Sequence, residues 1–323
     1  MAATAFSHLI DKSPTYLPEY FEAKLPEKSV MISSGLAQGI PQAESALKSN
    51  GGKTVAMNFY DEFTTAEEVL AADTDLTVRN MTTDSDIGVV CARGLAVGAE
   101  DLARVLAATD PLAEFAKQRT NYWARAIDTA LIKVAAGALG ALGATVQLDK
   151  SANDFNFNFI IEGVDLMGDN SDELSIILMH SKVFHKCLLL GLVSYPDATA
   201  IGAGPSIMNG GFIGNRRVYV SDQLPVSSNV YSTYVAASGA FSILFQKDIR
   251  VELERLPRKA GGTDVIVNTV HFVPHKNYVK YTGTASGITP TNAELATTGN
   301  WSGVADNDKN YRVVEIKSLA SLT

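Results

Sequence analysis

An α+β fold is the expectation for this chain, and three observations carry it. One dominant amphipathic helix runs from Asp110 to Leu139, alternating strand segments cluster before Val97 and after Arg216, and a region between them mixes short helices with strands. Along the helix, Leu112, Phe115, Tyr122, Trp123, Ala126, Ile127, Ala130, Leu131 and Val134 recur at i, i+3, i+4 spacing and form one apolar stripe. Asp110 suits the N-cap and Pro111 the first helical position, whereas Gly137, Gly140 and Gly143 blur the end. At about 1.5 Å per residue the helix is about 40 Å long, enough to cross a domain. Phe115, Trp123, Ile127 and Leu131 are its expected core contacts, with Ile249 to Arg255 and Val265 to Val273 the strands expected to cover them.

Met1 to Lys48 has no sustained period. Pro14, Pro18, Pro26 and Pro41 interrupt it, and Phe6, Leu9, Tyr16, Leu17, Tyr20 and Phe21 are sticky points on what reads as an extended arm, with a short helical piece allowed at Tyr20 to Lys24. Asn50-Gly51-Gly52 then marks a turn, after which Val55, Met57 and Phe59 alternate with polar or small residues as in a half-buried strand. A second strand is expected from Leu76, and the acidic segment Asp61 to Asp75 between the two makes a long two-stranded loop. Such an excursion is marginal alone and needs packing from elsewhere. Ile87 to Val97 is β-rich, and Ala99 to Ala108 is a short helix leading into the long one.

Beyond the long helix the pattern predicts a helix from Phe159 to Met167 stopped by Gly168 and a buried strand from Leu174 to Met179. It then predicts a helix from Ser181 to Leu190, with Ser181 as N-cap and Gly191 as stop, and strands at Arg217–Val220 and Tyr231–Ala237. IRVELER from Ile249, DVIVNTVHFVPH from Asp264, NYVKYTG and the segment Tyr311 to Lys317 complete the strands. Thr291 and Glu294 have capping-box spacing.

Composition excludes several functions. A hydrophobic fraction of 46% supports a packed core, and the net charge of -8 with scattered Lys and Arg argues against a general nucleic-acid binder. Arg216-Arg217 and Arg255 with Arg258 and Lys259 read as solvated or intersubunit faces. Cys91 and Cys187 lack ligand spacing and read as buried thiols in a reducing compartment. Met1 to Tyr20 lacks a signal-peptide pattern, and the apolar run Val134 to Val146 is shorter than the ~18 residues of a membrane span. A soluble, cytoplasmic chain without membrane contact is expected.

No catalytic or metal constellation emerges, and neither a cofactor nor a metal is expected. Ser181 and His185 stand four apart on a predicted helix, but the serine is in no G-x-S-x-G elbow. His271 and His275 share a strand face without a third ligand, and Pro274 is expected to break that strand. Asp306, Asp308 and Asn310 open like a calcium loop, but Tyr311 replaces its glycine and Lys317 its glutamate. Gly202, Gly204, Gly210 and Gly211 match no phosphate-binding motif, and the pairs Asp84/Asp86 and Asp61/Glu62 fall on loop-like segments.

Several blocks, taken in order, resemble the major capsid proteins of tailed bacteriophages. They are GGKTVAMNFYDEF from Gly51, the run from Leu76 through Gly137, ILMHSKVFHKCLLLGLV from Ile177, RRVYVSDQLPV from Arg216, YSTYVAASGAF from Tyr231, HFVPHKNYVKYTG from His271 and TPTNAELATTGNW from Thr289. The resemblance implies the Hong Kong 97-type shell fold. It divides the chain into an N-terminal arm (1–48), an extended loop (49–92), a peripheral domain with the spine helix (93–150 and 246–323) and an axial domain (151–245). It further implies a non-enzymatic coat protein of the virion, assembled in the host cytoplasm into pentamers and hexamers of an icosahedral shell around double-stranded DNA. Implied partners are other copies of the chain, a separate scaffolding protein, a portal, a decoration protein and, non-specifically, the packaged DNA. Interface contacts are expected at Tyr20, Phe21, Val55, Phe59, Tyr60 and Leu70. The alternatives are an encapsulin-like nanocompartment and a serine hydrolase using Ser181 and His185.

Overall fold

The computed structural model describes residues 29–63, 65–70, 75–107, 111–195, 211–258 and 261–321. Asp110, Tyr20, Phe21 and the rest of 1–28, and the glycines at 202, 204 and 210 lie outside them.

Residues 29–50 are packed on the body and are not an extended arm. A short helix Val30–Ser33, a strand β1 (Ala37–Gln38) and a helix Pro41–Asn50 follow one another, and Met31, Leu36, Ala37 and Leu47 are buried. Pro41 initiates the second helix where it was expected to interrupt, because at the first helical position its missing N–H forfeits nothing. β2 (Thr54–Tyr60) pairs antiparallel with β3 (Thr83–Val89), Thr54 facing Val89 and Tyr60 facing Thr83. The return strand was expected from Leu76. The described part of that segment, 75–82, is instead exposed and outside the ladder, because packing of Val55 and Val90 on Leu47, Leu244 and Val273 fixes the register at the root.

β4 (Cys91–Glu100) and the helix Asp101–Ala107 lead to the spine helix, Pro111–Leu142. It passes through Gly137 and Gly140, and only Gly143, at φ 57°, begins the turn that ends it. Trp123, Ile127 and Leu131 are buried, and Phe115 is half-buried beside Ala99, Leu112 and Ile266. The apolar window of this helix meets the length and hydropathy of a membrane span, but more than half of it is buried inside this fold.

The spine crosses a four-stranded sheet of order β1-β11-β12-β4, in which β11 is Phe241–Leu256 and β12 is Thr263–Lys276. β12 and β4 lie against the helix, as expected for Val265 to Val273. Ile249 to Arg255 does not cover the stripe, since β11 sits beyond β12 and its Val251 and Leu253 face solvent. Pro274 does not break β12: the ladder with β4 ends at Phe272, so a residue without an N–H forfeits no bond on that side.

A second sheet of order β5-β15-β10-β6-β8-β7 uses β5 (Gln147–Asp154), β6 (Ile176–Met179), β7 (Phe212–Ile213), β8 (Arg216–Val220), β10 (Val230–Ala236) and β15 (Val313–Leu319), with β9 (Val226–Ser227) paired to β10. The last strand thus joins the sheet built from the middle of the chain, where β10 flanks it on one side and β5 on the other. Helix Phe157–Asp165 packs across β15 and β5, Gly163 lying against Ile316. Helix Ser181–Leu189 is capped by His180, whose Nδ1 accepts the Lys182 N–H at 3.2 Å, so Ser181 is the first helical residue and not the cap. β13 (Val279–Tyr281) and β14 (Trp301–Gly303) form a small ribbon, and Thr291 and Glu294 close the expected capping box on helix Asn292–Leu295.

Candidate assembly site

The two-stranded loop leaves the body as an antiparallel ribbon that ends with Asp61 N–H donating to Thr82 O at 3.0 Å. Beyond that point it is held at a few places. Glu62 N–H donates to Asp306 at 2.8 Å, and Glu68 accepts from Thr77 N–H and Arg79 Nη2, each at 3.0 Å. The Thr77 and Arg79 bonds hold the Glu68 carboxyl below its usual range. Along this segment Tyr60 (71% exposed), Phe63, Val69 (92%), Leu70 (81%), Leu76, Val78 (91%) and Met81 lie open to solvent. Seven large apolar side chains are thus exposed on this one described segment.

Of the expected interface residues, Tyr60 and Leu70 are therefore on the open surface. Phe59 is half-buried, its ring edge-on to Tyr278 at 5.5 Å. Val55 is buried within its own subunit and has no surface to offer a neighbour.

At the loop root, Asp86 is buried on β3, contrary to the loop-like exposure expected of it. Its carboxylate accepts Tyr278 N–H at 2.6 Å and lies 2.9 Å from His275 Nε2. His275 is thus occupied with an acid of the same subunit. Among the described residues no group of three or more His, Cys, Asp or Glu is gathered for a metal. At the opposite end of the fold's first segment, Asp128 of the spine accepts from Ser29 Oγ at 2.6 Å and Val30 N–H at 2.7 Å. It caps the helix that starts where the first 28 residues join the body. The sequence offers Asp86 only as half of a loop-like Asp84/Asp86 pair, in a polar DSD run, and does not single out Asp128, which stands alone in an apolar stripe.

The remaining candidates are structural. Ser181 Oγ lies 3.4 Å from His180, while the His185 ring lies beside Phe184, so the Ser181–His185 pair of the hydrolase alternative is not assembled. Asp222 accepts Ser181 N–H at 3.2 Å, the contact of an acid at a helix start. Burial lowers the His180 pKa against the pull of Asp222. Asp306 serves the loop and Asp308 begins a 3-10 turn, so this segment is a polar turn. Arg216 donates to Leu174 O, Arg217 lies over Tyr219, and Arg255 pairs with Asp101 and Asp264. Cys91 and Cys187 are free and buried, and burial pushes their thiols up to about 11 and about 12.

Residues 46–312 match the Gp13-like family, described as Major capsid protein 13-like. The chain belongs to that major capsid protein family. The Major capsid protein of Bacillus phage SPP1 is 27% identical to it over 98% of both chains. In fold it is similar to the capsid of Ralstonia phage GP4, with a TM-score of 0.61 at 11% identity over 84% of each chain. The Cyanophage Pam1 capsid gives a TM-score of 0.60 at 9% identity over 89% of each. The spine helix, the ribbon and the two sheets are thus the α+β fold of tailed-phage capsid proteins, and the family member is a virion protein.

Proposed function

We propose that this chain forms, without catalysis, the pentamers and hexamers of an icosahedral shell around double-stranded DNA. The observation that carries the reading is the loop. A loop with Val69, Leu70 and Val78 more than four-fifths exposed is unfinished as a monomer, whereas its root is packed. In this reading Tyr60, Phe63, Val69, Leu70, Leu76, Val78 and Met81 lie across the neighbouring subunit, and the first 28 residues, leaving from the Asp128 cap, reach another, with Tyr20 and Phe21 as contacts.

The spine helix and the four-stranded sheet then form the peripheral part of the subunit, and the sheet from β5 to β15 the axial part at the capsomer centre. Scaffolding, portal and decoration proteins are the further partners, and assembly takes place in the host cytoplasm. Deleting Glu62 to Asp75 should leave a folded subunit that forms no shells. Normal particles by electron microscopy after that deletion would refute the reading, and particles filled with protein instead of DNA would assign a nanocompartment.

A further inference from the structure

Three ionisable side chains are buried near the loop root, Asp86 against His275 and Lys276 on the opposite side of the strand. Asp86 is 5% exposed, and His275 and Lys276 are 0% exposed. They stand where β3 crosses the end of β12 and the start of β13. Asp86 joins two of the elements directly, through Tyr278 N–H and His275 Nε2. The approach of Asp86 Oδ1 to His275 Nε2 lacks the geometry of a hydrogen bond. Lys276 Nζ faces the other way, donating to Tyr311 O at 2.8 Å and Asn277 O at 3.0 Å, and lies over the rings of Phe241 and Tyr311. Burial draws its pKa down to about 7, with Asp86 pulling upward and Arg312 downward. The hinge residue Tyr278 is left-handed, at φ 64°, and carries Phe59 of the ribbon on its ring.

Buried ions are a poor way to gain stability, because apolar residues of the same volume often hold a fold equally well or better. Directional contacts to a buried charge do something that apolar packing does less well, which is to select one geometry. We propose that Asp86, His275 and Lys276 form an orienting lock, which fixes the direction in which the extended loop leaves the body and does so at a cost in stability. Its consequence for shell geometry rests on the function proposed above; the lock itself is a property of the single subunit.

The test is the triple variant Asp86→Leu/His275→Phe/Lys276→Met, read on the unassembled full chain by denaturant unfolding and residue-resolved amide exchange. The expected result is a midpoint equal to or above that of the parent, together with at least tenfold faster exchange at Tyr278 and along β2 and β3. Exchange at the root within twofold of the parent would overturn the proposal. A lower midpoint with exchange accelerated throughout the chain would overturn it too, since the cluster would then be an ordinary stabilising element. If the triple variant does not fold, the near-isosteric pair Asp86→Asn/Lys276→Met takes its place, and failure of that pair to fold also counts against the lock. Both readouts precede assembly, so failure of the lock and failure of shell formation are seen separately.

Discussion

Gly137→Ala on the spine sets two effects of opposite sign against each other, and the structure decides between them. In an exposed helix interior the change would stabilise by about 1 kcal/mol through helix propensity. Here a Cβ at 137 would fall well inside contact distance of Leu295 O and 2.6 Å from Trp301 Nε1. These two atoms are themselves bonded to each other at 2.8 Å, in a buried contact that ties β14 to helix Asn292–Leu295. Forcing them apart costs about 1–3 kcal/mol in overpacking and about 1–3 kcal/mol more for a buried donor left without its acceptor. The net expectation is a loss of about 1–5 kcal/mol. A urea titration of the unassembled subunit followed by far-UV circular dichroism should show it as a lower midpoint at unchanged slope. Gly299→Ala is the control, since nothing lies within 4 Å of its added Cβ and its φ is not positive. It should be neutral or stabilise by about 0.4–1 kcal/mol. A Gly137→Ala midpoint equal to or above the parent's would refute the claim that this glycine exists for close approach.

Further expectations follow from single contacts. Asp128→Ala removes the acceptor for Ser29 Oγ and the Val30 N–H and should cost about 2–4 kcal/mol. Limited proteolysis should then cut near Ser29 to Gly35 earlier than in the parent. Burial draws the Lys276 pKa down to about 7 in the folded chain, from 10.5 for a free lysine, so the unfolded chain binds the extra proton between those values. Its contribution to stability therefore rises with pH across that window, by an amount on the order of 5 kcal/mol at most. Lys276→Met should raise the unfolding midpoint at pH 7 and remove this part of the pH dependence, measured as the difference between variant and parent from pH 6.5 to 10. Thr291→Ala breaks the capping box on helix Asn292–Leu295 and should lower stability by about 1 kcal/mol in the same titration.

What the sequence discloses is periodicity and apolar runs. The spine stripe and β12 bury apolar residues at short intervals, β10 is an apolar run buried on both faces, and IRVELER of β11 alternates although its Val251 and Leu253 face solvent. β5 escaped because Gln147–Asp154 is polar and paired only with β15, so its ladder leaves no apolar trace. The return strand of the loop was assigned to LTVRNMTT because that run alternates, whereas the residues that pair, TDSDIGV, look like a turn. The burial of Asp86 is hidden for the same reason: a carboxylate in such a run reads as solvated until β12 and the Tyr278 turn close over it. The glycines at 137 and 140 were read as helix-ending signals. Their real partners, Leu295, Trp301 and Thr298, are more than 150 residues away, and local sequence holds no sign of them.

Under the proposed function, the exposed loop sets how assembly should depend on concentration. Burying Tyr60, Val69, Leu70 and Val78 on a neighbour is worth about 6–12 kcal/mol in gross transfer free energy, at about 1.5–3 kcal/mol for each large apolar side chain. Association costs an estimated 4–15 kcal/mol in lost rigid-body freedom and side-chain ordering. One loop on one neighbour is therefore close to balance, and pairs of subunits should form only weakly. In a closed ring every loop is both given and received, and later contacts form between subunits that are already held. Assembly should therefore switch on over a narrow concentration range, with few dimers or trimers below it. Light scattering and analytical ultracentrifugation of a dilution series would show monomer giving way directly to large particles. Replacing Val69, Leu70 and Val78 together with serine should raise the threshold by at least tenfold without changing the unfolding midpoint of the monomer. An unchanged threshold would mean that the loop's apolar surface is not what joins the subunits.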